Sequence, residues 1–379
     1  MIIGVDASNL RSGGGLTHLV ALFSRFSLEV YGFSKLVVWC GPSTAGKLPV
    51  NFEWLEVRQV DAFDQGIIRR FLWRYRYMRS AVKRECDVLF SPGGIALFCC
   101  VPEVVMSRNM QPFDPEQRAS VSWGYARLRL ILLRYIQGFS FKKADRVIFL
   151  NSYAKQTISS LLNLPESKCR IIPHGCERRF WRLNPSYGDS ACNLLYVSTL
   201  NTYKHQLEVI RAVSSIRNEF ENLRLTLVGG SYEPYASTVK ELASELDPEG
   251  AWIELKGKVS PVQLPEIYAN SDVFIFASSC ENLPNILLEA MASALPIACS
   301  EVDPMPLILQ EAGVYFTPAE PESIANAVRT LLEDRDLRSR LGKSAQGLAE
   351  KYTWERCAAD TLAVLHEAAL TGRRKKCAE

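Results

Sequence analysis

In the stretch ENLPNILLEAMA, residues 281–292, two carboxylates stand eight positions apart, Glu281 and Glu289, with Pro284 between them. Proline has no backbone N–H, and the first helical turn leaves its N–H groups without an intrahelical acceptor, so Pro284 predicts the first turn of a helix. Glu281 then falls in the preceding loop and Glu289 inside the helix. A carboxylate accepts hydrogen bonds from two hydroxyls at once, and the amides of a helix N-terminus attract phosphate. The pair therefore suits a ligand that joins sugar hydroxyls to phosphate, such as a nucleotide-sugar. A helix cap and a solvent-facing helical residue are the plain alternative.

What favours the ligand reading is the element that delivers the pair. The run DVFIFASSC, 272–280, is continuously apolar and β-prone, as a strand covered on both faces is, and it sets Glu281 at its carboxyl end. Ligands of open α/β sheets bind at that end. Similar runs recur at 2–7, 35–40, 87–90, 103–107, 146–150 and 169–173, with helical patterns between them. After LNPSYGDSACN, 183–193, which is rich in turn formers, the rhythm restarts with NLLYVS, LRLTLVG, WIELKG, DVFIFA, PIACS and GVYF. The fold expected is α/β: two Rossmann-like, doubly wound parallel-sheet domains, 1–185 and 186–355, facing each other across a cleft. A C-terminal helix, about 356–379, is expected to rejoin the first domain.

At 379 residues and 47% hydrophobic content the chain can bury more than one core. No run approaches the ~18 apolar residues of a membrane span, and MIIGVDAS has no basic flank, so a cytoplasmic protein is expected. The eleven cysteines are scattered without Cys-x-x-Cys and read as reduced thiols. Asp334-Arg335-Asp336 has the Asp-x-Asp form of a divalent-cation site, but LLEDRDLRSRL runs from helix to helix, so a helix cap is expected and no metal. Net charge is +3, yet residues 1–185 hold 26 Lys+Arg against 14 Asp+Glu and the remainder 18 against 27, giving +12 and −9. An anionic partner for the first half follows.

With YVSTLNTYKHQ (196–206), TLVGG (226–230), ENLPNILLEAMASALPI (281–297) and GVYFTP (313–318) in this order, the chain resembles the GT-B glycosyltransferases of the family-4 type, which include bacterial polysaccharide and lipopolysaccharide transferases. The first half adds the loop Ser12-Gly13-Gly14-Gly15, NSYAKQ (151–156) and IIPHGC (171–176), so the likeness covers nearly the whole chain. It implies a retaining, metal-independent transfer of a sugar from a UDP- or GDP-sugar to a saccharide acceptor, lipid-linked, in cell-surface polysaccharide synthesis. Glu289 is implied to hold the ribose hydroxyls, Glu281 to lie beside the transferred sugar, and Lys204 to stabilise the departing diphosphate. The loop Asn282, Leu283, Pro284 and Asn285, together with Thr199, Gly229, Gly14 and Gly15, is implied to line the donor site. Three departures stand out. Ser198 and Thr199 replace an arginine of the diphosphate clamp, Ala294 replaces a helix-end glycine, and Arg108 and Asn109 replace His-Asp after the fourth strand. Arg108 and Asn109 then serve the acceptor side, as does His174, for which a structural role is the alternative.

The segments IIRRFLWRYRYMRSAVKR, 67–84, and WGYARLRLILLRYIQGFSFKK, 123–143, read as basic amphipathic helices. Either their apolar stripes (Ile68, Phe71, Leu72, Tyr75, Met78 and Val82; Leu128, Ile131, Leu132, Tyr135 and Phe139) pack on the first sheet, or they attach the protein to anionic lipid at the cytosolic face of the inner membrane. Two other activities compete with the transferase. One is a nucleotide-sugar epimerase or a phosphorylase of the same architecture. The other is a nucleic-acid-binding or scaffold protein using the basic half, although no nucleic acid is the expected partner.

Overall fold

The computed structural model describes residues 1–379 apart from 12, 50, 98–100, 122, 183–186, 189–191, 221 and 379, and the side chains of 120 and 373–378. Most of the expected linker 183–193, and Ser12 of the Gly-rich loop, lie outside the described residues. The chain divides into two compact units, residues 1–175 with 353–379, and residues 176–352.

The first unit is built on seven parallel strands: β1 (Ile2–Asp6), β2 (Lys35–Cys40), β3 (Leu55–Gln59), β4 (Val88–Ser91), β5 (Glu103–Ser107), β6 (Arg146–Phe149) and β7 (Cys169–Ile171), in the order β3-β2-β1-β4-β5-β6-β7. The second has six: β8 (Asn193–Val197), β9 (Arg224–Val228), β10 (Ile253–Gly257), β11 (Val273–Phe276), β12 (Ile297–Ser300) and β13 (Gly313–Phe316), in the order β10-β9-β8-β11-β12-β13. Both sheets are doubly wound and parallel, as the sequence rhythm predicts. The central strands are apolar throughout because helices cover both faces; β4, β5, β11 and β12 are buried at every position. β3 was not among the expected strands. It pairs only with β2 at the sheet edge, and its residues LEVRQ are partly exposed, so its pattern lacks the apolar continuity of the others.

In each unit the chain starts at the centre, winds to one edge, then returns to the other side. The loops after β1 and β4, and after β8 and β11, therefore part in opposite directions at the carboxyl edge and leave a crevice between them. The Trp354–Ala378 helix belongs to the first unit and packs on β4 and β5. Leu362, Leu365 and Ala368 are buried there, and Glu367 pairs with Arg146 at 2.7 Å and Arg170 at 3.1 Å. Among the described residues no helix is long and apolar enough to cross a membrane.

The two basic segments divide their faces differently from a simple core stripe. In 67–85, helical turns on either side of a π turn (Arg74–Met78) bury only Arg74, Met78 and Val82, while Ile68, Phe71, Leu72 and Tyr75 stay exposed. The Tyr125–Lys143 helix leaves Leu128, Leu132, Tyr135 and Phe139 exposed and buries Leu130, Gly138, Ser140 and Phe141. Most of the expected apolar stripes thus face outward.

Candidate functional site

The second unit brings four sequence-predicted groups to the carboxyl ends of β8 and β11, the strands that flank its crevice. After β8 the chain makes a tight turn, Thr202–Lys204, and His205 takes a left-handed φ of 53° before the next helix starts at Gln206. The turn is anchored from below: Tyr196 of β8 donates its hydroxyl to the Lys204 carbonyl at 2.7 Å. The loop after β11 is tied to it, with the Ser279 N–H donating to the Tyr203 carbonyl at 2.9 Å. Lys204 and Glu281 are thereby brought into an ion pair, and both side chains are largely buried. The Lys204 ammonium also lies 5.1 Å from the Tyr203 ring centre and 5.6 Å from that of Phe276. Two aromatic faces and a carboxylate hold the cation in a site with little water, where charge acts most strongly.

The helix that follows β11 runs from Asn285 to Ala292, with Pro284 as its N-cap. Pro284 thus stands one place before the first turn expected of it, and its carbonyl accepts from the Leu287 and Leu288 N–H groups. The amides of Asn285 and Ile286 then have no intrahelical acceptor. Asn282, Leu283 and Pro284 are buried beneath this helix start and Asn285 is partly exposed.

Glu289 sits one turn along. Tyr268 donates its hydroxyl to Oε2 at 3.1 Å. Burial pushes the Glu289 carboxyl up to about 7, with Glu177 adding to the rise, while the Tyr268 bond and Arg179 oppose it. A carboxyl poised at neutrality, inside a helix whose N-terminus points into the crevice, is equipped to exchange its proton for ligand hydroxyls. Tyr268 and Arg179 were not singled out from the sequence. The four-residue spacing of Tyr268 from Asp272, at the turn into β11, gives no hint of a partner twenty-one residues on.

Thr199 is exposed just past β8, where its carbonyl accepts from Gln206 at 3.0 Å. Gly229 follows β9 with φ 154°, and a Cβ there would come within 2.0 Å of the Ser198 carbonyl oxygen. Only glycine lets these two backbones meet. Asp334 caps the helix Arg335–Ala349 by accepting from the Leu337 N–H at 2.8 Å, as its setting predicts.

The first unit assembles its predicted residues around β1 and β5. Gly14 and Gly15 open the helix Gly14–Phe23, and a Cβ on Gly15 would come within 3.0 Å of Arg108 Nη1. Arg108, just past β5, is held down to about 10 by burial. Its Nε and Nη1, and both ring nitrogens of His18, find no hydrogen-bond partner among the described residues. Burial and the Arg108 charge hold His18 well below its ordinary value. Buried polar atoms of this kind ordinarily have partners, which makes this cluster unusual among the described residues. Asn109 is exposed and accepts from the Gln111 N–H at 3.1 Å. His174 is buried, stacked on Trp354 with ring centres 5.6 Å apart and edge-on to His18 at 6.3 Å.

Residues 189–347 match the family described as Glycosyl transferases group 1. Sulfoquinovosyl transferase SQD2 of Arabidopsis thaliana is 29% identical over 172 residues, 44% of this chain and 32% of that protein. The O-antigen chain mannosyltransferase B of Escherichia coli is 22% identical over 232 residues, 59% of this chain and 61% of that protein. The chain thus spans about a third to three fifths of the length of these relatives. Anabaena Alr3699/HepE in complex with UDP-glucose superposes with a TM-score of 0.71 at 18% identity, covering 96% of this chain and 100% of that one. The two parallel-sheet units have the fold of the GT-B glycosyltransferases.

Proposed function

We propose that this chain, whose residues 189–347 are a group 1 glycosyl transferase domain, moves a sugar from a nucleoside diphosphate sugar to a saccharide acceptor carried on a lipid, with retention of configuration and without a metal ion. The observation that carries the reading is the Lys204–Glu281 pair at the crevice of the second sheet, beside the helix that holds Glu289. Glu289, once ionised, accepts the ribose hydroxyls. The Asn285 and Ile286 amides meet a phosphate, and Lys204 exchanges part of its contact with Glu281 for the diphosphate. As the bond from the sugar to the diphosphate breaks, charge grows on the leaving oxygen, and a fixed ammonium lowers the barrier because it binds that charge more tightly than the ground state.

The acceptor hydroxyl attacks on the face the diphosphate leaves. Its proton passes to a departing phosphate oxygen, a new C–O bond forms as the old one breaks, and the nucleoside diphosphate is released. That HepE is described in complex with UDP-glucose supports a uridine donor, with guanosine as the other base to test. The mannosyltransferase B relative, an O-antigen enzyme by name, supports a role in surface polysaccharide synthesis.

Incubating the protein with UDP- and GDP-sugars, with and without a lipid-linked saccharide, tests the reading. Transfer that requires acceptor and survives a chelator supports it. Conversion of donor without acceptor points instead to an epimerase, and loss of transfer with the chelator contradicts the metal-free route.

A further inference from the structure

The two basic segments of the first unit line a half-open apolar groove of about 520 Å³, a volume in the range of small-ligand pockets. Ile67, Phe71, Leu97, Tyr135 and Phe139 line it, with Arg70 at one side. At its floor Arg74 donates from Nε to Asp6 at 2.8 Å and from Nη2 to the Ile95 carbonyl at 3.0 Å. Asp6 ends β1 and Ile95 follows β4, so the groove runs out from the crevice of the first sheet, where ligands of such sheets bind.

Its rim is both apolar and positive. Phe71, Tyr135 and Phe139 are 62%, 70% and 53% exposed, a large apolar surface for a solvent-facing position. Residues 67–84 contain seven Lys or Arg and no Asp or Glu, and residues 117–143 contain six and none. Elsewhere on the same two segments Arg127 lies over the Trp123 ring at 4.3 Å and Arg79 over Tyr75 at 5.5 Å, so cations and aromatic faces are interleaved along them. A partner must match hydrocarbon inside and negative charge outside. The groove is half open but concave, so a single hydrocarbon chain can lie along it with its phosphate at Arg70, a fit that a flat bilayer surface does not offer.

We propose that this groove holds the hydrocarbon chain of the lipid that carries the acceptor saccharide, with Arg70 meeting its phosphate. This rests on the transferase reading and adds to it the place where the acceptor is recognised. The groove positions the phosphate-linked sugar at the ends of β1 and β4, while the surrounding arginines draw the protein to the membrane that supplies the lipid.

Binding of farnesyl phosphate, below its micelle concentration, to the full chain tests this. Wild type is expected to bind it saturably, and the exposed double variant Phe71→Ser/Phe139→Ser to weaken binding at least tenfold. Arg70→Gln is expected to weaken farnesyl phosphate but not farnesol. No binding by wild type, equal binding by the double variant, or binding only to phosphatidylglycerol vesicles overturns the proposal, the last by making this face a plain membrane contact. The same samples are read for thermal stabilisation by UDP- and GDP-sugars. Loss of that signal alone strikes the transferase reading and leaves the lipid result standing, whereas its persistence without farnesyl phosphate binding strikes the groove.

Discussion

Glu289 carries the sharpest chemical expectation. Its carboxyl is raised from 4.5 to about 7 by burial, so in the ligand-free protein it is protonated below that pH and ionised above it. Ribose hydroxyls donate best to the ionised form. Nucleoside diphosphate affinity should therefore rise between pH 6 and pH 8, and Glu289→Gln should bind weakly with no such rise, which calorimetric titration at several pH values would measure. The stability linkage has the opposite sign. Because the folded state holds the proton more tightly, unfolding free energy should fall as pH rises from about 4.5 to about 7, and the Gln variant should lack that fall. Lys204 and Glu281 make the second residue-scale case. Removing one member of a largely buried pair leaves an uncompensated charge, so Glu281→Ala should lower stability by about 3–5 kcal/mol in urea melts, whereas the double change Lys204→Met/Glu281→Leu should lower it less. Both should abolish transfer. The spacing of Glu281 and Glu289 around Pro284 was legible in the sequence. The pairing of Glu281 with Lys204 was not, because seventy-seven residues separate them and only the turn after β8 brings them together.

At the scale of elements, the strands announced themselves wherever both faces are covered. Short apolar, β-branched runs such as VFIF of β11 and the VVM of β5 read as buried strands. β3 was invisible because an edge strand with one partner tolerates Glu56 and Arg58, which pair with each other at 2.6 Å across its exposed face. The basic helices were recognised as amphipathic, yet sequence period could not say which stripe is buried. In 67–85 the π turn shifts the register, so that Arg74 turns inward to Asp6 while Phe71 and Tyr75 turn outward. The joint between β8 and β9 gives an element-scale prediction. Gly229 packs its α-carbon against the Ser198 carbonyl, and Gly229→Ala must push apart the two loops that follow these strands. Weakened donor binding and a lowered melting temperature are expected together, whereas Gly230→Ala, where a Cβ meets nothing within 4 Å, should change neither measurably.

For the whole molecule, the notable feature is that the last helix serves the first unit. Trp354, Leu362 and Leu365 are each buried there, and such side chains contribute about 2 kcal/mol apiece, a large share of a typical 5–15 kcal/mol. Deleting 354–379 should therefore unfold or aggregate the first unit in a thermal melt, while Glu367→Ala, which removes only the partly exposed pairs with Arg146 and Arg170, should shift the melt slightly. The opposite charges of the two halves, +12 and −9, are visible from composition, and on the first unit Arg127 lies over the exposed Trp123 ring and Arg79 over Tyr75. Equilibrium binding of UDP- and GDP-sugars to wild type and Glu289→Ala is the most direct trial of the central claim. At least one donor should bind wild type saturably, and the variant should bind it at least tenfold more weakly, the equivalent of about 1.4 kcal/mol. Equal affinity in the two proteins, or no binding of any such sugar by wild type, would contradict it.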